Sequence, residues 1–439
     1  MLQTIRKAFQ IEDIRKRLFY TFIMLIVVRL GSELPTPGVN PEYIQGFFEN
    51  QTGDAFNFFN AFTGGSFTQM SVFALSITPY ITSSIIMQLL TIAIPKLEEM
   101  QKEGEDGRKK IASITRYVTI GLSLIESIAM AVGFGRSGLI KDSAQLSTLH
   151  YVVCIIVVVA ALTAGSAVLM WLGERITEKG VGNGISIVLL INIISGMPSD
   201  FATLYSTFVA PKTPAKGVLA AVIILAILIV MVVLVCFLQD GERRIPVQYS
   251  QKVSGRRTVG GQSTNIPLKV NTAGVMPIIF ASSLMQFPVI IAQLFGKSYE
   301  WTRYLSSSYW CRVEAPKYSI GLLVYIVLLI IFAYFYTSIT FNPIEVADNL
   351  KKAGGVIPGI TPGKSTSEYL NKILNYIVFI GAVGLLIIAL IPIMCTGFFN
   401  ASVSFGGTSI IIIVGVVLET LKQIESQMCN RYYKGFLSE

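Results

Sequence analysis

Apolar runs near the length a helix needs to cross a bilayer recur about ten times along this chain, at roughly 20 residues per crossing. They fall at 18–34, 70–94, 111–134, 149–172 and 181–197, then at 217–238, 270–295, 318–341, 373–394 and 405–418. Within hydrocarbon every backbone N–H and C=O must find a partner inside the protein, so only helices and closed barrels span. Continuous runs of this length predict helices, and hence an all-α polytopic membrane protein. Composition agrees. Of the 439 residues 14% are charged, where a soluble domain carries about 25%.

The net charge of +9 raises the question of a nucleic-acid partner. Its distribution answers differently. With the N-terminus inside, most of the 35 Lys and Arg residues fall on segments facing the cytoplasm, as the positive-inside rule requires. Both termini are then cytoplasmic, and the charge reflects topology and cytoplasmic partners. The basic amphipathic start, MLQTIRKAFQIEDIRKRLF, is followed by no A-x-A-like site, so no cleavable leader is expected. The five cysteines are scattered and predict neither a disulfide framework nor a metal site.

Five runs, a loop and five more suggest two halves, over 18–216 and 217–433, flanked by an amphipathic N-terminus (1–17) and a tail (434–439). An odd number of crossings per half means the halves sit inverted. Two cytoplasmic loops, 239–269 and 342–372, are long enough to be functional docking surfaces. The first has basic clusters and a predicted hairpin at Ser254 and Gly255.

Residues 54–95 carry the most unusual pattern. The part over 55–67 is rich in Phe, Asn and Gly, apolar yet too short to cross. The run that follows carries Ser71, Ser76, Thr78, Thr82, Ser83, Ser84, Gln88 and Thr91. A re-entrant segment beside a cavity-lining helix fits both, because irregular backbone at membrane depth survives only inside protein or along water. Glycines at Gly182, Gly184, Gly274, Gly406 and Gly407 precede aliphatic runs. Small residues of this kind allow close helix packing. Taken together they also place bulky aliphatic side chains one turn inside several helices. Ile77 and Ile81 share a helical face, as do Ile185 and Leu189. Such a collar seals a pore by dewetting.

Other signals carry less. Gly133, Gly135 and Gly138 match a dinucleotide fingerprint but sit at the end of a span. The stretch 358–365 approaches a phosphate loop but lacks its first glycine. A single histidine, His150, leaves hydrolytic catalysis without material. Arg29 and Glu126 are the intramembrane charges. At the centre of a lipid-exposed helix Glu126 would cost about 2.5–3.5 kcal/mol, so it is expected to face the interior. An ion-coupled secondary transporter with inverted repeats, the alternative reading, would carry more such groups.

Seven long stretches occur in order: RLGSELPTPGV, FALSITPYITSSIIMQLL, KEGEDGRKKI, WLGERITEKGVGNGISI, QSTNIPLKVNTAGVMPIIFASS, FNPIEVADNLKKAGGVIPGI and FGGTSIII. Over essentially its whole length the chain resembles the SecY family of protein-translocation channels. The resemblance implies ten helices in two inverted halves around an hourglass pore. It implies a protein-conducting channel of the bacterial plasma membrane, passive and without catalytic residues, cofactor or metal. The expected pore ring is Ile77, Ile81, Ile185, Leu189, Ile279 and Ile412. The expected plug spans about 55–67, with Phe56, Asn57, Phe58, Phe59, Asn60, Phe62, Gly64 and Gly65. A lateral gate to lipid would lie between spans two and three and spans seven and eight, with Thr82, Gln88, Glu126 and Phe287 at it. Implied partners are SecE and SecG, the SecA ATPase, the translating ribosome, and signal sequences and nascent chains. Docking residues for SecA or the ribosome would be Arg243, Arg244, Arg256, Arg257, Lys351, Lys352 and Lys364. Two departures stand out: Thr361 replaces the family's Arg before Pro-Gly, and Glu126 replaces a neutral polar residue.

Overall fold

A computed structural model describes residues 6, 8–40, 63–135, 147–210, 214–249, 252–254, 257–259, 263–294, 300–306, 309–311, 316–399 and 407–435. Each predicted run lies largely within one long helix. These are α1 (Glu12–Glu33), α2 (Thr78–Ala93), α3 (Glu105–Gly135), α4 (Thr148–Lys179) and α5 (Gly184–Leu204). The second half supplies α6 (Pro214–Asp240), α7 (Met276–Leu294), α8 (Ile320–Thr340), α9 (Lys364–Phe399) and α10 (Gly407–Gly435).

Among the described residues, six helices are long and apolar enough to cross a membrane, and a bent pair would make a seventh. The pair is α2 and the following Pro95–Lys102 helix, which turns away by 105°. Of the rest, α1 carries Arg15, Lys16, Arg17, Arg29 and Glu33, and α10 turns charged from Glu419 onward. The second run is also less helical than expected. Its helix begins only at Thr78, because Met70 (φ 43°) and Ser76 (φ 52°) hold the preceding backbone in left-handed turns. Pro79 then starts the helix at a position where no N–H is needed.

The two halves pack alike. In the first, α1 lies on α4 and α5, α2 on α3, α3 on α4, and α4 on α5. The second repeats the scheme: α6 on α9 and α10, α7 on α8, α8 on α9, and α9 on α10. Across the halves α5 meets α10, and α3 touches α7. One apolar core lies within each half, around Leu162 and around Leu329, and a third joins them.

Strands β1 (Glu242–Tyr249), β2 (Lys252–Ser254), β3 (Arg257–Val259) and β4 (Ser263–Lys269) fold the first long loop. β2 and β3 pair from Lys252 opposite Val259 to Ser254 opposite Arg257, which is the expected hairpin. β1 pairs antiparallel with β4 and, on its other edge, with β5 (Gly355–Val356) from the second long loop. Alternation along β1 turns Ile245 and Val247 inward, onto Leu350, Ile357 and Leu370. The side chain of Asn342 accepts from the amides of Ile344 and Glu345 and so starts the Pro343–Lys352 helix beneath the sheet.

Candidate functional site: an apolar constriction and its polar seat

The constriction is made by helix starts. At α5 the Asn183 carboxamide accepts from the amides of Ile185 (3.2 Å) and Ser186 (3.5 Å), satisfying orphan donors of the first turn. Gly184 lets that start press against α4, since a Cβ there would meet the Gly173 carbonyl oxygen. Ile185 and Leu189, on the first two turns, join the central apolar cluster. Ile77, the residue just before α2, and Ile81 on its first turn join the same cluster, with the Ile77 carbonyl accepting from the Ile81 amide at 3.0 Å. α7 brings Ile279 and α10 brings Ile412.

These six side chains belong to one continuous apolar cluster at the junction of the halves. Ile77, Leu189, Ile279 and Ile412 are buried, while Ile81 and Ile185 are half-buried. Close packing of aliphatic groups from these elements makes a dry apolar cluster with no hydrogen-bonding side chain among the six. The sequence reading missed Phe280. Its ring meets those of Phe332 (5.8 Å) and Tyr336 (6.0 Å) edge-on, fixing α7 to α8 beside the constriction. Its adjacency to Ile279 was a signal, but the partners depend on how α7 and α8 cross.

A polar seat lies one turn away. Asn192, on the turn of α5 after Leu189, donates from Nδ2 to Ser76 Oγ at 3.1 Å, with both residues buried. The non-helical backbone 64–77 runs past it. Left-handed conformations at Met70 and Ser76 cost about 1–3 kcal/mol each. The Thr36 amide donates to the Met70 carbonyl (3.0 Å) and the Val72 amide to the Leu34 carbonyl (2.9 Å), which hold the segment in place. Among the described residues the buried hydroxyls of Thr36, Ser66, Ser71 and Ser166 have no hydrogen-bond partner.

Of the expected plug residues, Phe56, Asn57, Phe58, Phe59, Asn60 and Phe62 lie outside the described residues. Gly64 (φ +65°) and Gly65 (φ +88°) sit in a left-handed turn at its end. Arg29 meets this turn. Its Nη1 donates to the Gly64 carbonyl (3.1 Å) and to Ser195 Oγ (3.0 Å), and its Nη2 to Glu33 Oε1 (2.8 Å). Ser195 Oγ also lies within hydrogen-bonding distance of the Gly64 carbonyl.

The expected gate residues are spread over α2, α3 and α7. Thr82 and Gln88 are half-buried on α2, with the Thr82 hydroxyl spent on the Thr78 carbonyl (3.0 Å). The Gln88 Oε1 is buried without a partner among the described residues. Glu126 is half-buried on α3, the helix that touches α7, and Phe287 lies on α7 with its side chain outside the description.

The basic docking candidates are spread over the two long loops. Arg243 and Arg244 are exposed on β1, Arg244 pairing with Glu242 at 2.6 Å. Lys351 and Lys352 end the Pro343–Lys352 helix and Lys364 opens α9, all exposed. Arg257 lies on β3, its side chain outside the description, and Arg256 lies outside the described residues.

Comparison with known proteins gives a consistent result. The SecY family profile matches residues 71–421. The protein translocase subunit SecY of Halalkalibacterium halodurans is 44% identical over 446 residues, covering 100% of each chain. That of Streptomyces galbus is 43% identical over 451 residues with the same coverage. A solved structure described as that of a protein conducting channel superposes with a TM-score of 0.61 at 16% identity, covering 95% of this chain and 93% of the other.

Proposed function

The chain belongs to the SecY family, and from that premise we propose how its residues make a gated conduit for unfolded polypeptides. It is a multi-pass membrane protein and a protein-conducting channel, which sets aside the transporter reading. Ile77, Ile81, Ile185, Leu189, Ile279 and Ile412 form the pore ring. Their convergence in one cluster at the junction of the halves is the observation that carries this reading. Residues 55–67 form the plug, a second barrier at rest.

The seam where α2 and α3 face α7 and α8 is the lateral gate, through which signal sequences and membrane segments reach lipid. Glu126 and Gln88 keep that seam from packing as a purely apolar surface. The channel lies in the bacterial plasma membrane with both termini cytoplasmic, held by SecE and SecG. It is passive: SecA supplies ATP hydrolysis and the ribosome supplies chain elongation. Both dock on the two long cytoplasmic loops through Arg243, Arg244, Arg256, Arg257, Lys351, Lys352 and Lys364.

Ion conductance across planar bilayers tests the ring and plug. The wild-type complex is expected to be silent. A variant lacking 55–67, and Ile81→Ser combined with Ile412→Ser, are expected to leak. If both variants stay tight, these residues do not gate an aqueous pore.

A further inference from the structure

α7 follows β4 in the chain and α8 leads into the Pro343–Lys352 helix, so the connection between them lies at the far end of both helices from the small sheet. It folds around aromatic rings. Tyr318 is buried, and the rings of Tyr304 (5.0 Å) and Tyr309 (5.9 Å) meet it edge-on. Trp310 Nε1 donates to the Tyr304 carbonyl at 2.8 Å. A Cβ at Gly321 would collide with that same carbonyl, so the Glu300–Leu305 helix sits tightly on the start of α8. Two cations stand over these rings. The Arg303 guanidinium lies 5.9 Å from the centre of Tyr309, and Lys317 Nζ lies 5.0 Å from that of Tyr318. Both donate to the Tyr318 hydroxyl.

Exposed cations beside aromatic rings are commonly side chains that only reach for water. Two observations argue for more here. Among the described residues neither cation forms an ion pair, and Glu300, one turn before Arg303, acts on it only at a distance. One phenol oxygen satisfies few of the N–H donors that a guanidinium and an ammonium carry. The second observation is an exposed apolar stripe that runs from Lys317 along α8 through Ile320, Val324, Val327 and Ile331, at alternating steps of three and four. In a membrane protein such a stripe faces acyl chains. Trp301, exposed on the neighbouring helix, is of the type that settles at headgroup level. The two cations therefore stand where the lipid-facing stripe ends.

We propose that Arg303 and Lys317 form a binding site for the phosphate of an anionic lipid headgroup, in the leaflet opposite the small sheet, with the acyl chains along the Ile320 to Ile331 stripe. The Arg303 fork suits two phosphate oxygens, and Lys317 adds a point charge. Phosphatidylcholine carries a phosphate too, but its own cation offsets that charge and is repelled by the pair, so the site selects for net negative charge.

Tryptophan quenching tests the site. The purified complex carrying Trp171→Phe keeps Trp301 and Trp310, the two indoles of this connection, as the chain's reporters. It is placed in phosphatidylcholine bilayers doped with either brominated phosphatidylglycerol or brominated phosphatidylcholine. Phosphatidylglycerol is expected to quench more strongly, and its preference to fall about fivefold for each cation removed by Arg303→Gln or Lys317→Gln. Arg303→Lys with Lys317→Arg is expected to keep the preference, as is Arg243→Gln, which removes a charge at the sheet. Equal quenching by the two lipids in the parent complex overturns the proposal. A preference that survives the double Gln variant, or that is lost equally in the charge-keeping pair, also overturns it. Loss of the preference in inorganic phosphate, but not in sodium chloride of equal ionic strength, makes free phosphate the ligand and overturns the lipid.

Discussion

Gln248 lies opposite Val356 in an antiparallel pair, although more than a hundred residues separate them. The pair joins the loop after α6 to the loop after α8, and the two basic surfaces become one folded unit above the second half. Beneath them Ile245, Val247, Leu350 and Leu370 share a core.

That joint has a weak point at Gly355. A Cβ there would lie 2.9 Å from Leu350 Cδ1 and 3.0 Å from Tyr249 Cε1. Gly355→Val is expected to lift β5 off β1, and Gly355→Ala to do so less. Limited proteolysis within 239–269 should then accelerate, and SecA affinity should fall with it. Unchanged SecA affinity alongside faster proteolysis would mean that the loops dock independently.

Asn183 caps α5, the helix that carries Ile185 and Leu189 into the central apolar cluster. Asn183→Ala is expected to cost about 0.5–2 kcal/mol, and Asn183→Asp to retain most of the cap. Thermal unfolding of the purified complex should rank wild type and Asp above Ala. Equal melting temperatures for all three would show that α4 packing alone sets the helix start.

Thr361 is exposed, and its carbonyl accepts from Thr366 Oγ1 at 2.9 Å, which fixes the turn before α9. Thr361→Arg would present a cation beside Lys364. An exposed charge contact is worth about 0.2–1 kcal/mol, so SecA is expected to bind a few-fold more tightly at low salt. The gain should vanish at high salt, where the Debye length shrinks to about 3 Å. No gain at low salt removes this turn from the SecA footprint.

Much of the site was legible in the sequence because helical period and helix starts are local. Ile77 with Ile81, and Ile185 with Leu189, follow from spacing, and Gly182 and Gly184 mark where the α5 run begins, whereas the Asn183 cap is known only from the structure. The resemblance added Ile279 and Ile412. Other features were not local. Arg29 was visible as an intramembrane charge, and Glu33 one turn on as a possible partner. Gly64 and Ser195, at 35 and 166 residues from Arg29, were not.

By itself the sequence determined a membrane-spanning, helical chain of two halves and the hairpin at Ser254. Each depends on composition or on neighbours in the chain. Tertiary structure alone decided that α2 begins at Thr78 rather than near Met70, because the turns before it are held by Leu34 and Thr36. It also decided the shared packing scheme of the halves, the seating of β5 on β1, and the meeting of α1, α5 and Gly64 at Arg29. Those contacts join residues that no local period connects, and burial of common apolar surface selects among the pairings.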